Sequence, residues 1–355
     1  MTTYWLLFAF AALMALASRD QGSDGFVPLG QRLGLLAFLV AYALVAGLRF
    51  EIGGDWLSYE DMYSVAQTSS LSESAALTDP VFGLLLWLSA KAGGGVYLVN
   101  GVCAWILGYG VMRIALRTRD PWLAVLIALP YLLIVVGMGY IRQAAAMGMI
   151  MLAVDSLGRS QRGRTIVYLL VAAGFHSTAS IVFPLFGYAM TQRYRVVALI
   201  LAVLGTIAFG AILLPRLNDF EAGYLDSEYD SSGATVRLAM NVLPAFILFV
   251  SFRRFVGDPL SRALWFGTAV ASVLAIVALQ FSPSSTAVDR IGLYLAMIQV
   301  MVFGNIIQLL GVNQTLRIPV RLMVVALAAA IQLVFLVFGT HAAAWVPYKS
   351  ILTLL

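Results

Sequence analysis

The chain has 355 residues, of which 61% are hydrophobic and only 11% charged. Soluble domains carry about 25% charged residues, so a water-soluble globular domain is excluded and a single polytopic membrane domain over residues 1–355 is expected. The net charge of +5 is no sign of nucleic acid: all basic residues but Lys91 and Lys349 are arginines, and most sit in short connectors, where the positive-inside rule accounts for them. The one cysteine, Cys103, lies in an apolar stretch, which leaves no disulfide within the chain and no cysteine-based metal site.

The first apolar run, Tyr4–Ala17, follows an n-region without a basic residue. It therefore reads as an uncleaved helix with its N-terminus outside. Arg19 and Arg32 are then inside, and a second helix runs from about Leu33 to Leu48 and exits at Arg49. A polar outer stretch, 49–79, holds Glu51, Asp55, Glu60, Asp61 and Glu73. Pro80–Ala92 is short for a crossing and reads as interfacial or re-entrant. Spans follow at Val96–Leu116, Pro121–Met138 and Ala144–Leu157, with Tyr140-Ile141-Arg142-Gln143 as the outer turn.

In Thr165–Thr191, a single crossing would invert the sidedness of every later basic cluster, so two half-helices meeting near Gly174-Phe175-His176-Ser177-Thr178 are expected. Later spans are Val196–Leu214, Leu238–Phe252, Ala263–Phe281, Ile291–Leu310 and Val320–Gly339, with an acidic outer loop at 215–237. The fold class expected is all-α, with about 10–12 membrane helices.

This topology puts fifteen arginines inside and leaves Arg49, Arg142, Arg216, Arg237 and Arg290 outside, with twelve of the seventeen acids. The outer face is thus the chemically varied one. Arg142, followed by Gln143, defies the sidedness rule at a helix start; it is either a phosphate-gripping cation or a snorkelling anchor. Asp289-Arg290 begins another helix, with Tyr294 one turn on the same face; the alternative is a weak surface ion pair. His176, in a helix break, is the leading acid–base candidate, or else a neutral ring that satisfies the kink. Arg49-Phe50-Glu51-Ile52-Gly53-Gly54-Asp55-Trp56-Leu57-Ser58-Tyr59 combines a cation, carboxylates and aromatics suited to sugars. Its Trp56 and Tyr59, like Trp345 and Tyr348 near the C-terminus, also fit an interfacial aromatic belt. Nucleotide-binding glycine motifs and H-E-x-x-H are missing, and no D-x-D pair offers a metal site for a nucleotide sugar.

In their order, Gly47-Leu48-Arg49…Gly53-Gly54-Asp55-Trp56…Tyr59, Arg142-Gln143, Phe175-His176-Ser177-Thr178-Ala179, Asp289-Arg290…Tyr294 and Trp345…Pro347-Tyr348 resemble the EpsG family of Wzy-like bacterial polysaccharide polymerases. Trp56 departs from the Tyr or Phe commoner there, and Gly54 from Thr or Ser. The resemblance implies a GT-C-like glycosyltransferase of the bacterial inner membrane. It would join undecaprenyl-diphosphate-linked oligosaccharides of O-antigen or exopolysaccharide type on the periplasmic side; with no metal site evident in the residues, arginines would take the place of Mg²⁺, and no cofactor is expected. Membrane lipid would be a partner; whether a Wzz-type chain-length regulator is another stays open in the sequence.

On this reading His176, Arg142, Arg290, Asp55 and Glu51 are the expected catalytic residues. Arg49, Gln143, Tyr59, Trp56, Tyr294, Asp289 and Tyr348 are expected to bind substrate. The rival classes are a lipid-linked-oligosaccharide flippase, which would need a polar route to both faces, and a membrane O-acyltransferase using His176 as base.

Overall fold

The computed structural model describes residues 1–18, 27–191, 233–282 and 284–353. Sequence expectations for Val196–Leu214, Arg193, Arg195, Arg216 and the acidic residues 219–230 lie outside them. Among the described residues every regular element is helical, apart from one isolated antiparallel bridge between Arg49 and Ser350.

Seven of these helices are long and apolar enough to cross a membrane. They are α2 (Leu29–Gly47), α6 (Gly95–Ala115), α7 (Pro121–Gly139), α11 (Ala234–Arg254), α12 (Pro259–Leu279), α13 (Ser285–Gly304) and α14 (Gln314–Phe338). Between them lie α1 (Thr2–Ala17), α3 (Trp56–Thr68), α4 (Leu71–Leu77), α5 (Pro80–Ala92), α8 (Ile141–Leu157), α9 (Arg162–Phe175) and α10 (Phe183–Thr191). The chain is an all-α polytopic membrane protein.

The centre of the bundle is the α7–α8 pair. α7 has a mean hydropathy of 2.3 and is buried on every side, as a helix apolar all round must be. Pro130 lacks the N–H that would continue its ladder, and Leu129–Val136 rewinds as a π-helix around it. α8 is lined by small residues, Ala144, Ala145, Ala146 and Gly148, and is buried almost throughout. These let α6 approach to backbone contact, the way helices associate where lipid supplies no hydrophobic drive. A Cβ on Gly148 would stand 2.4 Å from the carbonyl oxygen of Ile106, and one on Gly110 2.6 Å from that of Gly148. Gly148→Ala is therefore expected to cost about 1–3 kcal/mol through overpacking, read as a lower melting temperature in detergent. An unchanged melting temperature would refute this contact. Outward, large apolar side chains such as Phe246, Val250, Leu274 and Leu322 are exposed, as a lipid-facing surface requires.

Two short elements frame the polar end of the bundle. α5 has 13 residues, about 20 Å at the helical rise, short of the hydrocarbon thickness. It packs against α3, α4, α6 and α9. α9 stops at Phe175, where His176 turns extended at φ −156° and ψ 114°, and a 3₁₀ turn over Ser177–Val182 leads into α10. The break expected at His176 is present.

Trp345 and Tyr348 turn into the protein and do not form a surface belt. Trp345 is 6% exposed; its indole N–H donates to the Ile134 carbonyl and its own carbonyl accepts from Tyr4. The Tyr348 hydroxyl donates to the Val45 carbonyl at 2.9 Å. Backbone N–H groups of Phe50 and Gly53 donate to the carbonyls of Lys349 and Ala344. The C-terminal segment thus straps the loop that opens at Arg49, because buried loop backbone must find its hydrogen-bond partners within the protein.

Candidate functional site

The loop 49–55 is held rigid from beneath. Arg49 is fully buried; its guanidinium donates to the carbonyls of Ala46 and Ile52 and to Asn100 Oδ1. Gly53 has φ +101°, and a Cβ there would lie 2.3 Å from the Met138 carbonyl oxygen, so only glycine fits this approach. The result is a loop docked on the end of α7, with Asp55 and Trp56 opening α3 beside it.

Asp79 is the hub. It precedes Pro80 at the start of α5, yet its side chain makes no capping bond there. It turns instead to the neighbouring elements and is 1% exposed. Its Oδ2 lies 3.3 Å from Arg142 Nη1 and 3.2 Å from His176 Nδ1, while Oδ1 accepts from the Ser177 backbone N–H at 3.0 Å. Arg142 also donates to Thr78 Oγ1 at 2.9 Å. Sequence reading passed over Asp79 as the last residue of a polar loop. Asp before Pro at a helix start is ordinarily a cap, and only the tertiary fold shows it turned elsewhere.

Around this hub stand Asp55, Tyr59, Arg290 and Tyr294. Tyr59 reaches Asp55 Oδ2 at 3.4 Å. Arg290, Arg142 and His176 all lie within electrostatic range of the Asp55 carboxylate. Arg290 sits over the Tyr140 ring, 5.2 Å from its centroid, and its carbonyl accepts from Gln143 Nε2 at 2.7 Å. Tyr294 and Thr178 share a hydrogen bond of 2.9 Å. The cluster therefore draws on loop 49–55, the start of α5, the start of α8, the break at His176 and the start of α13.

The expected site residues Arg142, Gln143, His176, Arg290, Asp55, Tyr59 and Tyr294 are brought together. Arg49, Trp56 and Tyr348 pack beneath or beside the loop; Trp56 is 4% exposed, with Arg49 over its ring. Glu51 pairs instead with Lys349 at 2.8 Å, both side chains about half exposed. Asp289 does not pair with Arg290; it takes a two-pronged bond from Arg237, both contacts at 2.8 Å. The neighbours in sequence diverge because successive helical positions lie about 100° apart.

The two carboxylates are tuned in opposite directions. Burial pushes the Asp55 carboxyl above its ordinary range, an effect only partly offset by Arg290 and Arg142. Burial would raise Asp79 too, but the hydrogen bond and charge of His176, then Arg142 and the Ser177 N–H, bring it below the ordinary range. A carboxylate with a depressed native pKa adds stability that is fully present above the unfolded value of about 3.9 and is lost as pH falls through the native value. The melting-temperature gap between the wild type and Asp79→Asn is therefore expected to be full near pH 7 and to close as pH falls below the ordinary carboxylate range of about 4. A gap that closed as pH rose would contradict this.

Among the described residues, no three His, Cys, Asp or Glu side chains are grouped as a metal site would need. The cluster's cations are arginines, which can bind phosphate oxygens with two parallel hydrogen bonds. Its one imidazole is oriented by a carboxylate. Because ionised Asp79 can only accept, His176 Nδ1 must donate, and Nε2 is left to accept a proton.

Fold and cluster define the class: a multi-pass membrane protein with a polar site gathered at one end of a buried helix. Comparison with protein families then places the chain. It belongs to the EpsG family, whose model matches residues 32–350. No curated protein and no solved structure matches it.

Proposed function

We propose that this protein is a polysaccharide polymerase, a glycosyltransferase that joins oligosaccharide repeat units carried on undecaprenyl diphosphate at the periplasmic face of the inner membrane. Membership of the EpsG family supports the polymerase class. The observation that carries the reading is the convergence of Arg142 and Arg290 on an Asp79–His176 pair.

A sugar hydroxyl of the incoming lipid-linked unit attacks the anomeric carbon of the growing chain. The new glycosidic C–O bond forms as the C–O bond to the diphosphate breaks, and the lipid diphosphate departs with the electron pair. His176 Nε2 takes the hydroxyl proton, with Asp79 fixing the ring and stabilising the imidazolium. Arg142 and Arg290 face the diphosphate, where charge develops in the transition state. Asp55, lying between cations, accepts a hydrogen bond from an acceptor-sugar hydroxyl.

The test is direct. Purified protein given lipid-diphosphate-linked repeat units is expected to produce a ladder of longer glycans, insensitive to chelator. No ladder from folded protein, together with lipid-linked sugar crossing vesicle membranes, would replace this reading with a transporter.

A further inference from the structure

The far end of α8 carries a second charged cluster that the proposed reaction does not use. Asp155 is thirteen residues from Arg142 on the same helix, about 20 Å along it, and so at the opposite end of the bundle's central helix. Its side chain is 5% exposed and receives three guanidinium groups. Arg113 comes from α6 and Arg117 from just beyond it; Arg117 also donates to the Asp155 carbonyl. Arg159 follows α8 and lies 3.2 Å from Asp155 Oδ1.

One carboxylate cannot balance three guanidinium groups. They are nevertheless held at fixed positions, with 25%, 32% and 50% of their side chains exposed. Cations scattered by the positive-inside rule need no such convergence. The next helix, α9, begins beside them with Arg162 and an exposed Arg164. One turn on from Arg164, Val167 is 56% exposed, and one turn further Leu170 is 61% exposed. Spacings of three place these residues on one helix face. A concentrated positive charge thus runs directly into an outward apolar stripe.

We propose that the Asp155 arginine cluster and the first turns of α9 form a site for an acidic glycerophospholipid. Its phosphate headgroup lies on Arg113, Arg117 and Arg159, and its acyl chain along Val167 and Leu170. Charge complementarity selects an anionic headgroup over a zwitterionic one, since guanidinium groups attract net negative charge at a leaflet surface. The apolar stripe selects a lipid over a free anion.

The experiment takes the purified full chain, stripped of lipid in detergent, and titrates phosphatidylglycerol, phosphatidylcholine or inorganic phosphate. Binding is read by native mass spectrometry and by the melting temperature. Phosphatidylglycerol is expected to bind and raise the melting temperature, and phosphatidylcholine to do neither. The double variant Arg117→Gln, Arg159→Gln should bind phosphatidylglycerol at least tenfold more weakly. The variant Arg253→Gln, Arg254→Gln, which removes as much charge elsewhere, should bind it as the wild type does. Should the first variant not fold, the exposed pair Arg159→Gln, Arg164→Gln serves in its place. Equal weakening in both charge-matched variants would overturn the site in favour of generic attraction. A shift of the same size with inorganic phosphate would overturn the lipid.

Discussion

Asp79→Asn is expected to lower polymerisation by about two to four orders of magnitude while leaving a folded, membrane-inserted protein. The amide is nearly isosteric, so packing at a position 1% exposed is preserved. What changes is its chemistry. Asparagine presents one acceptor oxygen and one NH₂ where the carboxylate served Arg142, His176 and the Ser177 N–H at once. With an NH₂ towards the ring, His176 is driven to the tautomer that places its proton on Nε2, where it can no longer act as base. The same logic in a serine protease triad makes a comparable substitution cost about 10⁴ in turnover. Asp79→Glu keeps the charge but moves it by one methylene, and should fall between. The measurement is the initial rate of glycan-ladder formation at equal amounts of folded protein. Turnover in Asp79→Asn within a factor of three of the wild type would remove Asp79 and the His176 tautomer from the mechanism.

Much of this arrangement was legible in the chain. Composition excluded a soluble domain because so few charges cannot clothe a water-exposed surface. Sidedness arithmetic on the arginine clusters favoured a helix break near His176, and one is present. Arg142 and Arg290 stood out because they defy the sidedness rule, and the fold brings both to His176.

What the sequence could not convey was direction. Residues of the 49–59 loop look equivalent when read in order. The fold sends Arg49 down to Ala46, Ile52 and Asn100, Glu51 sideways to Lys349, and Asp55 towards Arg290 and Arg142. The strap formed by residues 344–350 depends on contacts about 300 positions apart, which no local pattern records. Asp289 was expected to bind substrate, with a pair to Arg290 as the alternative, and only packing of α11 against α13 shows Arg237 as its partner.

Arg142→Gln and Arg290→Gln are each expected to reduce turnover by about 10²–10³, the usual loss when one group stabilising transition-state charge is removed. Arg142 is paired with buried Asp79 and bonded to Thr78, so its loss should also lower the melting temperature. Arg290 lies over Tyr140, and its backbone carbonyl, which the substitution leaves in place, accepts from Gln143. Arg142→Lys and Arg290→Lys keep the charge but not the planar fork, and should recover part of the rate if phosphate is gripped by two parallel bonds. The double variant decides whether both arginines serve one diphosphate. Groups acting on the same charge are strongly non-additive, so Arg142→Gln with Arg290→Gln should lose far less than the product of the single losses. Losses that multiply would place the arginines on separate groups, one on the donor's diphosphate and the other on the acceptor's, each reading a different lipid-linked substrate.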